Sequence, residues 1–435
     1  VERIAGADLS AARPSARRPR VRRRTGLRSA IAQAMPVVPA PAQDRDVGER
    51  SRVVLALNSG SSSLKFGLYR VGSQRTARIV LGEAEALGGP QALIHAQDAQ
   101  GAALLHEPAP GCGHADAVRR IAQLLGERAL PAPQCIGHRI VHGGPELRRP
   151  CRIDAQVRAT LRAAAVFAPA HMPDALAVIA LAQAHFPGVA QVACFDTSFH
   201  ATMPDIARVL PIPAALRAAG LQRYGFHGLS CESIVRQLGA GLPSRLVIAH
   251  LGNGASITAV ADGRSVDTSM GLTPTGGLIM GTRSGDLDPG VLVYLVREGR
   301  LDAAGLEALV DRRSGLLGIS GLSGDMRVLH REAGRDPAAG LAIDMFCYSA
   351  GKQIAAMSAV LQGIELLVFT GGIGQNDAQV RARICERLQP VGVRIDAARN
   401  AAGAEAIGAA GARCQVRILP SEEDEQIARH AWDLC

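Results

Sequence analysis

Five short polar clusters interrupt otherwise apolar stretches of the chain: Gly137-His-Arg-Ile-Val-His-Gly-Gly144, Ala168-Pro-Ala-His-Met-Pro173, Cys194-Phe-Asp-Thr-Ser-Phe-His200, Arg223-Tyr-Gly-Phe-His-Gly228 and Met280-Gly-Thr-Arg-Ser-Gly-Asp-Leu-Asp-Pro289. A single histidine in such a place is more often a satisfied core residue than a catalyst. Five clusters, each beside Gly or Pro, point to one shared cleft instead. Two glycine-rich turns, Asn58-Ser-Gly-Ser-Ser and Gly252-Asn-Gly-Ala, supply a matching chemistry. Small residues let consecutive backbone N–H groups approach an anion, and Ser or Asn side chains add donors. Facing each other, two such turns could hold the two ends of a polyphosphate. Taken singly, each is more simply an ordinary hairpin turn. Lys65 follows the first turn in a chain whose 48 basic residues include two lysines, Lys65 and Lys352. A compact ammonium near a phosphate and chance placement are both open readings of it.

The elements around these turns repeat. Val53-Val-Leu-Ala-Leu reads as a buried strand, and Ser63-Leu-Lys-Phe-Gly-Leu-Tyr as a second strand after the turn. Arg245-Leu-Val-Ile-Ala-His-Leu and Ser256-Ile-Thr-Ala-Val flank the second turn in the same way. Two lobes, each opening with strand, turn and strand, explain the pair economically. A third turn, Gly371-Gly-Ile-Gly-Gln-Asn376, follows the apolar run Glu365-Leu-Leu-Val-Phe-Thr and precedes helical spacing at Val380, Ile384 and Leu388. Strand, glycine turn and helix is a nucleotide-binding order, with the helix N-terminus toward the ligand. Gly372-x-Gly374 lacks the third glycine of the dinucleotide fingerprint, and neither lysine sits in a P-loop frame. His138-Arg139 is followed by Ile140, so the protein-kinase catalytic loop is absent too.

At 435 residues the chain has room for about two to three domains. Its 47% hydrophobic and 20% charged residues are those of a globular protein, and 3% aromatic residues argue against base-stacking recognition of nucleic acid. The net charge of +9 belongs to a tail. Residues 1–52 hold twelve arginines against five acids, a surplus of seven, which leaves two charges to the rest and no general pull on polyanions. That Arg-, Ala- and Pro-rich segment lacks a helical or strand period and is expected to be disordered. Prolines 36, 39 and 41 break the apolar stretch a secretory signal needs, and an organelle transit peptide fits only loosely. Upstream sequence read as protein explains the segment most simply, since Met35 or Val47 would start the chain nearer its first strand. Nine scattered cysteines without C-x-x-C spacing suggest neither a disulfide framework nor zinc. No apolar run reaches membrane-spanning length. A reducing cytoplasm, with no nucleic-acid or membrane partner, is the expected setting.

The order and wording of the motifs resemble acetate kinase and its close relatives among the short-chain acyl kinases. The residues that carry the resemblance are Asn58-Ser-Gly-Ser-Ser-Ser-Leu-Lys-Phe66, Arg223–Gly228 with Val247-Ile-Ala-His-Leu-Gly-Asn-Gly254, and Phe369-Thr-Gly-Gly-Ile-Gly-Gln-Asn376, within a match from about Val53 to Arg429. The resemblance implies an α/β fold of two duplicated actin-like (ribonuclease H-like) lobes around a nucleotide cleft. The lobes would span residues 53–200 and 201–435, with the C-terminal segment free to return to the first. It implies ATP and acetate in exchange with ADP and acetyl phosphate, a magnesium (or manganese) cofactor, and a homodimer. A propionate or other short-chain acyl kinase is the nearest alternative. An actin-like or chaperone ATPase is a more distant one, since the residues after 52 suffice for two lobes only.

By the same resemblance Arg139 and Arg283 are clamps, because a guanidinium fork grips carboxylate and phosphoryl oxygens. His227 donates to the transferring group, His171 lies at the cleft wall, and Asp196 orients the metal or its water. Val141, Ala170, Phe226 and Pro274 surround the acyl methyl group. Lys65, His250, Leu251, Gly252, Asn253, Gly254, Asp325, Met326, Arg327, Gly372, Ile373, Gly374, Gln375 and Asn376 contact ATP. Asn58 and Glu423 match the magnesium positions, though Glu423 also reads as part of a solvated acidic run, and Glu422 and Asp424 leave its register open by one. A carboxylate nucleophile needs no general base at pH 7, so catalysis is positioning and charge neutralisation. Three departures bear on preference rather than activity: Gln375 for a common Glu, Thr275-Gly276 for Leu-Glu, and Ala170-His-Met172 for Leu-His-Asn.

Overall fold

Seven consecutive buried residues, Val53–Ser59, make the first strand a central one, because a strand covered on both faces reads as a continuous apolar run. The computed structural model describes residues 51–60, 62–169 and 171–435. The expectations for the Arg-rich N-terminal segment fall almost wholly outside the described residues, and that for Ala170 does too.

The strands form two sheets. The first comprises β1 (Arg52–Ser59), β2 (Leu64–Val71), β3 (Thr76–Glu85), β4 (Leu93–Asp98), β5 (Ala103–Pro108), β6 (Cys135–Ile140), β7 (Cys151–Arg152) and β8 (Ala190–Phe195), in the order β5-β4-β3-β2-β1-β6-β8-β7. The second comprises β9 (Arg245–Leu251), β10 (Ala255–Ala261), β11 (Arg264–Thr268), β12 (Leu366–Thr370) and β13 (Gln415–Ile418), in the order β11-β10-β9-β12-β13.

The duplication is explicit in the pairing. β1 joins β2 in an antiparallel hairpin with Asn58 opposite Lys65, and runs parallel to β6, which runs parallel to β8. β9 joins β10 with Leu251 opposite Ala255, and runs parallel to β12, which runs parallel to β13. Both sheets thus contain an antiparallel meander continued by two parallel strands. β4 and β5 extend the outer edge of the first sheet alone.

The C-terminal helix, Glu423–Leu434, returns to the first sheet. Its Ile427, Ala428 and Ala431 are buried in one cluster with Val54, Ala56, Cys135 and Val192. A Cβ on Gly137 of β6 would come within 2.5 Å of Ile427, so only glycine lets the helix lie this close. The helix Gly228–Leu238 sits between this region and the second sheet, with Leu229 in the first cluster and Cys231, Ile234 and Leu238 against β9 and β12.

The cysteine expectation needs correction. Cys135 of β6 and the terminal Cys435 form a disulfide, with Cα atoms 6.3 Å apart and 300 residues between them in sequence. Spacing motifs cannot register a pair that meets only because the C-terminal helix returns to the first sheet. Among the described residues no helix is long and apolar enough to cross a membrane.

Candidate active site

Parallel strands open a crevice beyond their carboxyl ends, and the polar clusters lie there in both lobes. Asn58 and Arg139 are the penultimate residues of β1 and β6, and Asp196 directly follows β8. Across the cleft, His250 precedes the last residue of β9, Gly371-Gly372 follow β12, and Ser421–Asp424 follow β13. A cavity of about 560 Å³ between them is lined by Asn58, Lys65, Arg139, His227, His250, Glu423 and Asp424 together with the Gly252–Gly254 turn. A second cavity of about 970 Å³ holds Asp325, Met326, Arg327, Ile373 and Asn376, and shares Gly252, Asn253 and Gly372 with the first. The two therefore form one trough, polar at one end and wide at the other, as a nucleotide with its phosphates requires.

Most predicted nucleotide contacts line this trough, with two qualifications. Leu251 is wholly buried, so only its backbone could serve. Gly374 is buried in the one-turn helix Gly371–Asn376 behind the lining. Gln375, with its amide oxygen turned inward, accepts from the N–H groups of Ser421 (3.2 Å) and Gly371 (3.3 Å). An amide supplies that acceptor without a charge.

His227 is fixed unusually well. It caps the helix Gly228–Leu238 in the left-handed region at φ 58°, a strained conformation for a residue with a side chain. Its Nδ1 lies 2.9 Å from Ser256 Oγ, and its ring stacks on His250 with centroids 4.1 Å apart. A Cβ on Gly254 would come within 3.2 Å of His227 Nε2 and 3.3 Å of an Arg283 nitrogen. The turn, the imidazole and the guanidinium therefore converge on one point. Arg283 donates to the Pro274 carbonyl at 3.2 Å, and its other terminal nitrogen lies 3.5 Å from His171 Nε2.

Arg139 is committed differently. Its Nε and a terminal nitrogen both donate to Asp196 Oδ2, at 3.0 and 2.6 Å. Burial works against the Arg139 charge, but Asp196, Glu423 and Asp424 together outweigh it and raise its pKa. Burial likewise raises Asp196, with Arg139 opposing. The histidines behave uniformly. Burial, reinforced by Arg283 and Arg139, lowers His171 to about 4, and burial with His250 and the two arginines holds His227 well below the usual range. Both are neutral donors at pH 7.

The three neighbouring acids divide by their partners. Asn58 Nδ2 donates to Glu423 Oε2 (3.1 Å) and to Asp424 Oδ1 (2.9 Å), whereas Glu422 turns away to Arg236. Burial pushes Asp424 up to about 6, Asn58 partly opposing, while Arg139 and His250 overcome burial and lower Glu423. Asp196 Oδ1 is buried without a hydrogen-bond partner among the described residues, which a cation or its water would satisfy. This all-oxygen set suits magnesium or manganese bound partly through water. Among the described residues only Glu83, Glu85 and His95 gather closely enough to ligate one ion directly.

Near Arg283, Val141 and Phe226 are buried and Pro274 is half-buried. Their neighbour His142, legible in the sequence only as a member of its cluster, packs its ring against Phe167, Tyr224 and Phe226 at 5.1, 4.4 and 5.6 Å. Sequence reasoning missed Ser230, Ser256 and Ser421, whose partners are distant in sequence, and Asp311, which accepts from Thr275.

Comparison with known proteins agrees with this architecture. Residues 53–429 match the model of the acetokinase family. An acetate kinase of Methylocella silvestris is 42% identical over 402 residues, covering 88% of this chain and 98% of that protein. One of Rhodopseudomonas palustris (strain TIE-1) is 41% identical over 403 residues, covering 88% and 99%. Among solved structures, a propionate kinase from Francisella tularensis superposes with a TM-score of 0.82 at 33% identity, covering 88% of this chain and all of that one. Porphyromonas gingivalis acetate kinase superposes with a TM-score of 0.78 at 33% identity, covering 88% and 99%. With two α/β sheets of like topology and a match over nearly the whole described chain, this protein belongs to the acetokinase family, phosphotransferases whose acceptor is a carboxyl group.

Proposed function

We propose that the protein is an acetate kinase that catalyses reversible, magnesium-dependent transfer of the γ-phosphoryl group of ATP to acetate, giving acetyl phosphate and ADP. The observation that carries this reading is the convergence of His227, Arg283 and the Gly254 backbone on one point beside the nucleotide trough. An acetate oxygen forms a bond to the γ-phosphorus as the bond to the β,γ-bridging oxygen breaks, and that oxygen leaves with the electron pair on ADP. No proton moves, which suits a site whose imidazoles are neutral.

Arg283 carries the principal positive charge toward acetate and the equatorial phosphoryl oxygens, with His171 beside it and His227 donating through Nε2. Arg139 holds Asp196 in direction and adds its charge to the same region. Lys65 and the turns at Gly252–Gly254 and Gly371–Gly372 receive the phosphates, and Asp325, Met326, Arg327, Ile373 and Asn376 receive the adenosine. Asn58, Asp196, Glu423 and Asp424 would hold magnesium through its waters, and the ion when bound neutralises phosphate charge. Val141, Phe226 and Pro274 receive the methyl group.

A homodimer is supported by the helix Pro289–Arg297, which buries none of its residues and exposes Val291, Val293, Tyr294 and Val296. Hydroxylamine trapping of the acyl phosphate across a series of carboxylic acids tests the reaction. Hydroxamate from acetate with ATP and magnesium is expected, and nucleotide turnover that ignores the acid would overturn the reading.

A further inference from the structure

The hydrogen bonds behind His250 form a chain that can run in either direction. His250 Nδ1 lies 2.8 Å from Ser230 Oγ, Ser230 Oγ lies 2.9 Å from Ser421 Oγ, and Ser421 Oγ lies 3.2 Å from Glu423 Oε1. Ser421 has one hydroxyl proton and two acceptors in reach, and Ser230 stands in the same position between His250 and Ser421. Ser230 is wholly buried, so bulk water does not relieve the conflict. Two arrangements use the Ser230 hydroxyl as both donor and acceptor. In one, His250 Nδ1–H donates to Ser230, Ser230 to Ser421, and Ser421 to Glu423. In the other, Ser421 donates to Ser230 and Ser230 to His250 Nδ1, so that the ring proton sits on Nε2.

The far nitrogen faces the phosphate cradle. A Cβ built on Gly252 would lie 3.8 Å from the Gly372 amide nitrogen and 4.0 Å from His250 Nε2. Burial lowers the His250 pKa, with Arg139 and Lys65 adding to it against Glu423, so a neutral ring must take one tautomer or the other. The first arrangement turns a bare lone pair toward incoming phosphate oxygens, whereas the second offers them an N–H. The charge on Glu423 favours the first, because a charged acceptor draws the hydroxyl proton more strongly than a neutral one.

We propose that Ser230 and Ser421 are positioning residues that couple Glu423 to His250: a cation held near Glu423 weakens its pull on Ser421, the chain reverses, and His250 presents Nε2–H to the phosphates. The cleft would thereby favour a nucleotide that arrives with its metal. The identity of cation and polyphosphate rests on the function proposed above, but the chain of contacts does not.

The test reads the tautomer directly. In full-length protein labelled with ¹⁵N-histidine, a long-range ¹H–¹⁵N correlation spectrum at neutral pH identifies the protonated nitrogen of His250, assigned through His250→Gln. With ADP throughout and no carboxylic acid, adding magnesium chloride should convert His250 from Nδ1–H to Nε2–H. Ser421→Ala should give Nε2–H under both conditions, because Ser230 then has only His250 to donate to, and Ser421→Thr should restore the response. An unchanged wild-type tautomer, or a magnesium response that survives in Ser421→Ala, would overturn the coupling. Failure of hydroxamate formation would instead overturn the reaction, so the two failures are distinguishable.

Discussion

Gly254→Ala would place a methyl group where the phosphoryl group is expected to pass. Its Cβ would lie 3.2 Å from His227 Nε2, 3.3 Å from an Arg283 nitrogen and 3.5 Å from His227 Cε1, the first two closer than ordinary van der Waals contact. His227 cannot retreat easily, because Ser256 holds its Nδ1, His250 stacks on its face and its backbone is fixed as a helix cap. The guanidinium of Arg283 has to move instead, by a few tenths of an ångström or more. A misplacement approaching 1 Å at a reacting centre costs about 10²-fold in rate. Gly254 does not occupy the left-handed region, so the backbone tolerates alanine and the fold should be intact. The hydroxamate assay should show kcat lowered about 10²-fold, with little change in melting temperature or in ATP affinity measured calorimetrically. Gly252→Ala is the contrast, since its nearest neighbours are the Gly254 carbonyl at 3.3 Å and the Gly372 amide nitrogen at 3.8 Å, and ATP affinity rather than kcat should suffer. A Gly254→Ala enzyme within about threefold of wild-type kcat would refute the convergence of His227 and Arg283 on the reacting group.

Arg283→Ala and Arg139→Ala should each lower turnover by about 10²-fold or more. Only Arg139→Ala should also lower stability, by about 3 to 5 kcal/mol in urea unfolding, because it leaves Asp196 buried without its counter-charge; equal stabilities would contradict that pairing. Burial holds His138, His142, His171 and His200 near 4, below an unfolded histidine, so unfolding takes up protons between these values and stability falls as pH drops from about 6.5 toward 4. Asp424, raised to about 6, opposes them in part; a flat unfolding free energy between pH 5 and 7 would be inconsistent with neutral buried histidines. Met172 is wholly buried in one cluster with Val141 and Phe226, and its flexible thioether should let propionate enter, keeping its kcat/KM within about tenfold of that for acetate. Met172→Leu conserves volume but not adaptability and should move the preference toward acetate, so an unchanged ratio would remove Met172 from the acyl wall.

The parts of the fold that were legible in the sequence are those whose cause is local. The runs Val53–Leu57 and Leu246–Ala249 are strands because their residues are apolar without interruption, and Asn58-Ser-Gly and Gly252-Asn-Gly turn because small residues sit there. Repetition of that pattern suffices for two lobes of like topology. The cleft clusters were legible as groups, since polar residues beside Gly or Pro break apolar strands. What the sequence withheld are meetings across long separations. Asn58 reaches Glu423 and Asp424 over more than 360 positions, and Ser230 reaches Ser421 over 191. A serine has no pattern of its own that marks it as a link between two polar groups. Cys135 and Cys435 meet for the same reason, through a helix whose return no periodicity encodes.

The charges of the cleft are unequally spent, and that inequality bears on which group does the electrostatic work. Arg139 satisfies a buried carboxylate with two of its nitrogens, so much of its field is cancelled before any ligand arrives. Lys65 stands opposite Asn58 in the β1–β2 hairpin and opposite Glu83 in β3; it opposes the burial that raises Asp424 and Glu83 and helps to lower Glu423, so its charge is shared among three acids. Among the described residues Arg283 has no carboxylate as a hydrogen-bond partner; its partners are the Pro274 carbonyl, the Met280 sulfur and His171. Its pKa is accordingly lowered by burial, with only the more distant Asp311 resisting. A buried cation in that state destabilises the empty site and is stabilised by whatever anion enters. The neutral imidazoles around it donate hydrogen bonds without adding to the cost of burying charge. Two negatively charged reactants must be brought together here, so a guanidinium held ready and uncompensated acts where neutralisation is needed, and a guanidinium already paired with Asp196 sets the direction of approach.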